Sequence, residues 1–332
     1  MTAAQGWTTH RFDYVDPYMD DSMRGIHDEL AAAVSGGFHG DPSINLDRKR
    51  PGRIDRRNPP TAGLIEKYPA FGHWLDLVPT AAALEPLYEP SAQSLPNGHP
   101  IDSGTRQWFR NIADGRGIRS RAAALQHLLV QDSHENPTWL SLASGAARTV
   151  LDSAALKRAG ANEPAVHLVD LDRNALKAAR HRAASHGLRS LRTYRANVLR
   201  PAGIRLTTQR PLEKRSYSVV DAVGLMEYLR ADDWVYRYAK VVRSSQRMAG
   251  AVTFLRNAFE FVRPGGRLIF GNMRDSHPEL AFTLNVVQWP HIQPRSIDQV
   301  MKIVTAAGLA ESAEVYLPTD GVYALYSIRR AN

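Results

Sequence analysis

Thr138-Trp139-Leu140-Ser141-Leu142-Ala143-Ser144-Gly145-Ala146-Ala147-Arg148 is the stretch from which the rest of the chain can be read. Trp139 to Ala143 is a short apolar run that gives way to a turn of small residues and then to a helix-forming stretch, Thr149 to Ala159. That order is a strand, a tight turn and a helix N-terminus, and small turn residues let a ligand lie against bare backbone. Farther on, Val166-His167-Leu168-Val169-Asp170 is a second buried strand, and it ends in a carboxylate. A strand–turn–helix–strand unit with an acid at the second strand tip is the nucleoside-binding half of a doubly wound sheet, the acid being there to accept hydrogen bonds from ribose hydroxyls.

The turn lacks the GxGxxG pattern: Gly145 is followed by Ala146 and Ala147. A pyrophosphate needs close backbone approach and contact with the helix N-terminus, which argues against a dinucleotide. A ligand with a ribose but no phosphate, such as S-adenosylmethionine (SAM), tolerates alanines there better. From Thr138 onward strands and helices alternate, the signature of a parallel sheet. The pattern predicts strands at 139–143, 165–170, 191–195, 217–223, 267–271, 311–317 and 321–328, and helices near 147–160, 173–187, 232–242, 247–262 and 296–308. Pro318-Thr319-Asp320-Gly321 between the last two strands is a hairpin turn signal. The predicted fold is therefore α/β: a doubly wound, Rossmann-like sheet of seven strands closed by a hairpin, preceded by a helical N-terminal extension.

These residues carry a resemblance to class I SAM-dependent methyltransferases. Leu140 to Arg148 resembles their first motif in its small-Ser-Gly-x-Ala-Arg form, and Val169-Asp170-Leu171-Asp172-Arg173-Asn174-Ala175-Leu176 resembles the second. Arg195-Ala196-Asn197-Val198 lies where the family places an acidic or amide residue beside the adenine. Gly224-Leu225-Met226-Glu227-Tyr228-Leu229 is similar to a fourth motif found in bacterial enzymes related to the 3-hydroxypalmitate methyl ester (extracellular factor) methyltransferases and in a neighbouring, poorly characterised family. Pro264-Gly265-Gly266-Arg267-Leu268-Ile269 matches the turn before the fifth strand, and Arg116-Gly117-Ile118-Arg119-Ser120-Arg121 resembles the segment before the first motif. The resemblance covers roughly residues 105–330 and implies a SAM site. Ala143, Ser144 and Gly145 would pass the cofactor, Asp170 hold its ribose, and Asn197 read the adenine edge. Leu171 and Val198 would sandwich the ring, and Gly224 with Leu225 would pass the methionine end. An arginine of the 116–121 piece would pair with the cofactor carboxylate. Asp172 reads as the N-cap of the following helix.

Methyl transfer from a sulfonium is a direct displacement, so the protein's task is to align and desolvate the nucleophile. A general base is needed only for a protonated acceptor. Glu227, Tyr228 and His277 are the candidate catalytic residues, with Asn272 and Asp275 behind them. The Tyr228 ring face would also suit a sulfonium. SAM chemistry without methyl transfer, by loss of the aminocarboxypropyl arm or by cyclisation, is the alternative within enzymes. A nucleic-acid methyltransferase and a non-catalytic SAM-fold binding protein are the alternatives of other classes. No Asn/Asp-Pro-Pro-Tyr signature follows the fourth strand, which argues against adenine or glutamine amide methylation, and the histidines lack ligand spacing, so no metal site is expected.

The bulk of the chain fits this picture. Of 332 residues, 43% are hydrophobic, enough for a sizeable core, and the absence of cysteine excludes disulfides, Cys-based metal sites and thiol nucleophiles. No apolar run approaches the roughly 18–20 residues of a membrane span. The first 21 residues lack an export-signal core, so a cytoplasmic location is expected. The net charge is +9, and Arg180 to Arg215 holds ten Lys/Arg against one acid, Glu213, with Tyr194 as its only aromatic. A solvated face is the ordinary reading of such a segment. An acidic small molecule or acidic carrier protein is the next, and nucleic acid is disfavoured for want of stacking residues. Residues 1–104 read as a helical extension and 105–332 as the SAM-binding core. Asp21 to Val34 suggests an amphipathic helix and Asp41 to Pro60 an extended loop. Leu64 to Leu87 suggests helical pieces broken at Pro69, Pro79 and Pro86, a lid or else a homodimer contact.

Overall fold

The computed structural model describes residues 7–19, 54–160, 162–200, 212–232, 234–239 and 244–332. The expected helix at Asp21 to Val34 and most of the loop at Asp41 to Pro60 lie outside these residues. The central sheet is built from β1 (Thr8–Phe12), β2 (Thr138–Leu142), β3 (Ala165–Asp170), β4 (Leu191–Arg195), β5 (Tyr217–Ala222), β8 (Val262–Met273), β9 (Ala313–Pro318) and β10 (Tyr323–Arg329), with β6 (Trp234–Ala239) and β7 (Ser244–Ala249) forming a separate antiparallel pair. The spatial order is β1-β9-β10-β8-β5-β2-β3-β4, and β10 alone runs antiparallel to its neighbours. This is a doubly wound α/β sheet whose order reverses between β2 and β5, the place where such sheets bind ligands.

The helices are α1 (Pro59–Lys67), α2 (Pro69–Leu75), α3 (Ala81–Tyr88), α4 (Ser103–Asn111), α5 (Ala113–Val130), α6 (Arg148–Ala159), α7 (Arg173–Ser185), α8 (Ala251–Phe259) and α9 (Ile297–Ala306). Strand residues alternate between two apolar layers, as a period of two requires. On one face Leu140, Val220, Phe270 and Tyr326 pack with Phe254 of α8 and Val304 of α9. On the other Trp139, Val219, Ile269 and Leu325 pack with Leu128 of α5 and Leu151 of α6. A third cluster, around Phe71, Trp74, Leu87, Trp108 and Phe282, joins α1–α4 to the segment 282–292 and to Tyr323. This cluster also includes Phe109 and Ile112.

Three features differ from the sequence reading. The sheet has eight strands, not seven, because β1 pairs in parallel with the edge strand β9. Thr8-Thr9-His10-Arg11-Phe12 has one strongly apolar residue, so no alternation announced it. The helix expected at 232–242 is strand β6, and the helix expected from 247 begins only at Ala251 because β7 precedes it. Trp234-Val235-Tyr236-Arg237-Tyr238 is aromatic and β-branched, which fits a pleated ribbon better than a helix. Gly115 and Gly117 both lie inside α5, which Ile112 separates from α4.

Gly117 is there for packing. A Cβ at that position would lie 2.4 Å from Val322 Cγ1, just past the turn before β10. Gly117→Ala should therefore lower stability by about 1–3 kcal/mol through overpacking, although alanine is the better helix former by roughly 1 kcal/mol. Urea denaturation checks this: a variant as stable as the parent or more so would show that α5 does not press on the hairpin as described.

Candidate ligand site

The turn after β2 adopts glycine-type geometry without the glycines. Ala143, Gly145 and Ala147 all have left-handed φ, at 51°, 54° and 52°. An alanine in that region costs on the order of 1 kcal/mol, so the backbone path is held by its surroundings. The holding group is visible. Asp170, at the tip of β3, accepts the Gly145 amide on Oδ2 at 2.7 Å and the Asp172 amide on Oδ1 at 2.7 Å. Asp172 in turn caps α7 by accepting the Asn174 amide at 2.8 Å. Each Asp170 oxygen keeps a free lone pair for a ligand hydroxyl.

Above this turn lies a cavity of about 390 Å³ at the carboxyl ends of β2, β3 and β5. Its floor comes from Ser141, Ala143–Arg148, Asp170, Asp221 and Gly224, and its roof from α3, at Ala81, Leu84, Glu85 and Tyr88. The first turn of α6 also faces it, through Thr149 and Val150. A Cβ on Gly145 would meet Ala81 Cβ at 3.0 Å, so the roof rests directly on the turn. Charges pin that roof. Arg148 reaches Glu89 at 3.0 Å and Glu85 at 3.5 Å, and Arg182 of α7 reaches Glu85 at 3.8 Å.

Of the residues singled out from sequence, Ala143, Ser144, Gly145, Asp170, Gly224, Glu227 and Tyr228 converge on this cavity. Four of the cofactor-binding candidates do not line it. Leu171 is 59% exposed, Val198 and Leu225 pack into the sheet core, and Asn197 turns back to accept the Leu199 amide at 3.0 Å. His277 does not reach the cavity either. Its Nδ1 accepts the Glu279 amide at 2.9 Å and its Nε2 faces Asp114 at 3.4 Å, so it braces a wall residue and has no ring nitrogen left for a substrate. Asn272 is likewise committed, to Arg295 at 2.9 Å. In the arginine-rich piece, Arg119 is taken by Asp16 and by three backbone carbonyls, whereas Arg121 enters the cavity. The basic segment runs along α7 and the outer strand β4, and its residues 201–211 lie outside the described ones.

Two buried carboxylates face the cavity. Glu227 sits 3.4 Å from Arg121, which also stacks over Tyr323 at 4.4 Å. Burial pushes Glu227 up to about 7, and the Arg121 charge only partly offsets it. Tyr228, beside it, accepts a hydrogen bond from Trp289 Nε1. Burial raises its hydroxyl, which stays protonated. The second carboxylate, Asp221 at the end of β5, was not anticipated, although an acid in the run Tyr217-Ser218-Val219-Val220-Asp221-Ala222-Val223 is a signal that could have found it. It is 4% exposed, and burial pushes it up to about 7 against the pull of the Ser141 hydroxyl and the Val223 amide. Among the described residues no group of His, Asp and Glu could hold a metal ion, and no helix is long and apolar enough to cross a membrane.

No family model matches the chain, and no curated protein does. Solved structures do align with it. A possible exported protein from Bordetella parapertussis is 16% identical and covers 95% of this chain and 100% of its own, with a TM-score of 0.58. The S-adenosylmethionine-dependent methyltransferase SibL in its apo form is 16% identical over 80% of this chain and 69% of its own, with a TM-score of 0.46. An O-methyltransferase family protein from Burkholderia thailandensis is 16% identical over 82% of this chain and 70% of its own, with a TM-score of 0.45. The Bordetella alignment shows that the fold is shared along almost the whole chain.

The Asp221 environment has a consequence for stability. Its folded value, near 7, lies above the unfolded 3.8, so between those pH values the folded state binds more protons and stability falls as pH rises. Asp221→Asn removes that loss. The variant should melt several degrees above the parent at pH 8 and close to it at pH 4. An equal difference at both pH values would mean that the carboxyl is not held neutral by burial.

Proposed function

We propose that the chain is a SAM-dependent methyltransferase acting on a small molecule. The observation that carries this reading is the bond from the Gly145 amide to the Asp170 carboxylate at the floor of the cavity. It sets a side-chain-free turn beside an acid with spare lone pairs, which suits a ribose. The residues fit the rest of SAM as well. A Cβ built on Gly224 meets nothing within 4 Å, so the backbone there borders open space in which a methionine chain can pass. When bound, SAM supplies a methyl group activated by its sulfonium.

The protein's own residues define the acceptor end. Ile118, Tyr228, Trp289, Ile292 and Tyr323 form an apolar and aromatic wall that excludes water from the reacting atoms. Glu227 is the group to take a proton from an acceptor hydroxyl or amine. A carboxyl held near 7 matches that task at neutral pH. Tyr228 lies beside it and orients the acceptor. The charge of Arg121 is answered by Glu227, which favours a neutral acceptor over an acidic or carrier-bound one. The roof formed by α3 leaves room for a small molecule and favours it over a base in a polymer.

Thermal shift and mass spectrometry test this reading together. SAM in large excess over its Kd should raise the melting temperature by several degrees and be recovered intact when no acceptor is present. Gly224→Leu, which fills open space, should fold normally and lose the shift. Release of methylthioadenosine from SAM alone would replace methyl transfer with cyclisation of the aminocarboxypropyl arm on its own amine. No shift with the parent protein would overturn the SAM reading itself.

A further inference from the structure

We propose that Asp221 is the receptor for the ammonium group of the cofactor's amino-acid arm, a role that rests on the SAM reading above. Asp221 lies on β5 directly opposite Ser141 of β2, and Ser141 Oγ donates to its Oδ1 at 3.0 Å. The other oxygen, Oδ2, is fully buried and has no hydrogen-bond partner among the described residues, although the residue borders the cavity. A buried carboxylate oxygen without a partner is costly, and here a ligand cation is what would satisfy it.

Position selects which cation. Asp170 stands at the tip of β3, on one side of β2, and Asp221 at the tip of β5, on the other. A nucleoside held by Asp170 with its 5′ substituent directed across the β2 turn would bring that substituent to β5. The substituent of SAM at that end carries an ammonium and a carboxylate. Of the other acids facing the cavity near that end, Glu227, whose Oε2 also lacks a donor, already has the charge of Arg121, and Asp114 already accepts the Thr283 hydroxyl and faces His277. Asp221 is the acid that combines an uncommitted oxygen with no ion pair to a Lys or Arg among the described residues. Ser141 fixes its rotamer, so that Oδ2 is presented before the ligand arrives. The sequence around Ser141 gives the same sense from the other side. The strand ahead of the turn offers a hydroxyl, and the neighbouring strand supplies the charge.

Calorimetric binding to the parent protein and to Asp221→Asn tests the assignment with three ligands: S-adenosylhomocysteine, its α-desamino analogue, and 5′-methylthioadenosine, which lacks the whole arm. Asn keeps the shape and the Ser141 hydrogen bond but loses the charge. The expected result is a loss of roughly ten- to a hundredfold in affinity for S-adenosylhomocysteine, with the desamino analogue and methylthioadenosine changed less than about threefold, within ordinary mutational scatter. A parallel loss for all three ligands would make Asp221 a support of the fold and overturn the assignment. So would unchanged S-adenosylhomocysteine affinity. If the parent binds none of the three, the SAM reading fails first and the assignment falls with it. Ser141→Ala supplies a second check, because it should weaken S-adenosylhomocysteine in the same direction while sparing methylthioadenosine.

Discussion

The carboxylate of Asp170 is the constraint on which the ligand site depends. Through two short bonds it joins the turn after β2 to the turn after β3, and so fixes both sides of the crevice at once. The turn it holds contains two alanines in a conformation that alanine disfavours. Without the carboxylate the Gly145 amide would lose its partner, and the turn would keep only its backbone bonds, from the Ser144 amide to Val169 and from the Ala147 amide to Ser144. The roof depends on the same point, because Ala81 of α3 rests on Gly145 and the ion pairs from Arg148 and Arg182 hold α3 over it. Those ion pairs are partly exposed and each is worth little alone; their part is to orient a helix already placed by the apolar cluster beneath it.

Much of this was legible in the amino-acid order. Continuous apolar runs give buried parallel strands, and every strand named from Thr138 onward is present with its ends within two residues of those expected, β8 apart, which begins at Val262 rather than 267. The acid after the second run identified Asp170. The N-cap at Asp172 was readable because a short acid before a helix-forming stretch has one common use. The closing hairpin followed from its turn residues, in which Gly321 donates to Pro318 and Asp320 accepts from Val322.

What was not legible depends on contacts between distant segments. β1 owes its existence to the open edge of β9, and its own residues say little. β6 and β7 sit where helix was expected, and their pairing with each other was outside any single-segment pattern. His277 looked like a loop histidine near a strand tip, but the fold turns it behind the wall and spends both ring nitrogens there. Asn197 and Val198 were placed by analogy with a motif position, and here one closes its own turn and the other fills the core. Asp221 was overlooked because a lone acid within a buried strand carries no motif. Its meaning comes only from Ser141 across the sheet and from the open volume above it.

The central claim is that one ligand bridges the Asp170 turn and the α3 roof. Hydrogen–deuterium exchange with and without S-adenosylhomocysteine tests it most directly, because it reports on both elements in one experiment. The account predicts slower exchange at 143–150 and at 81–88 together, with β9 and β10 unchanged. Protection that appears elsewhere, or at neither segment, would contradict it.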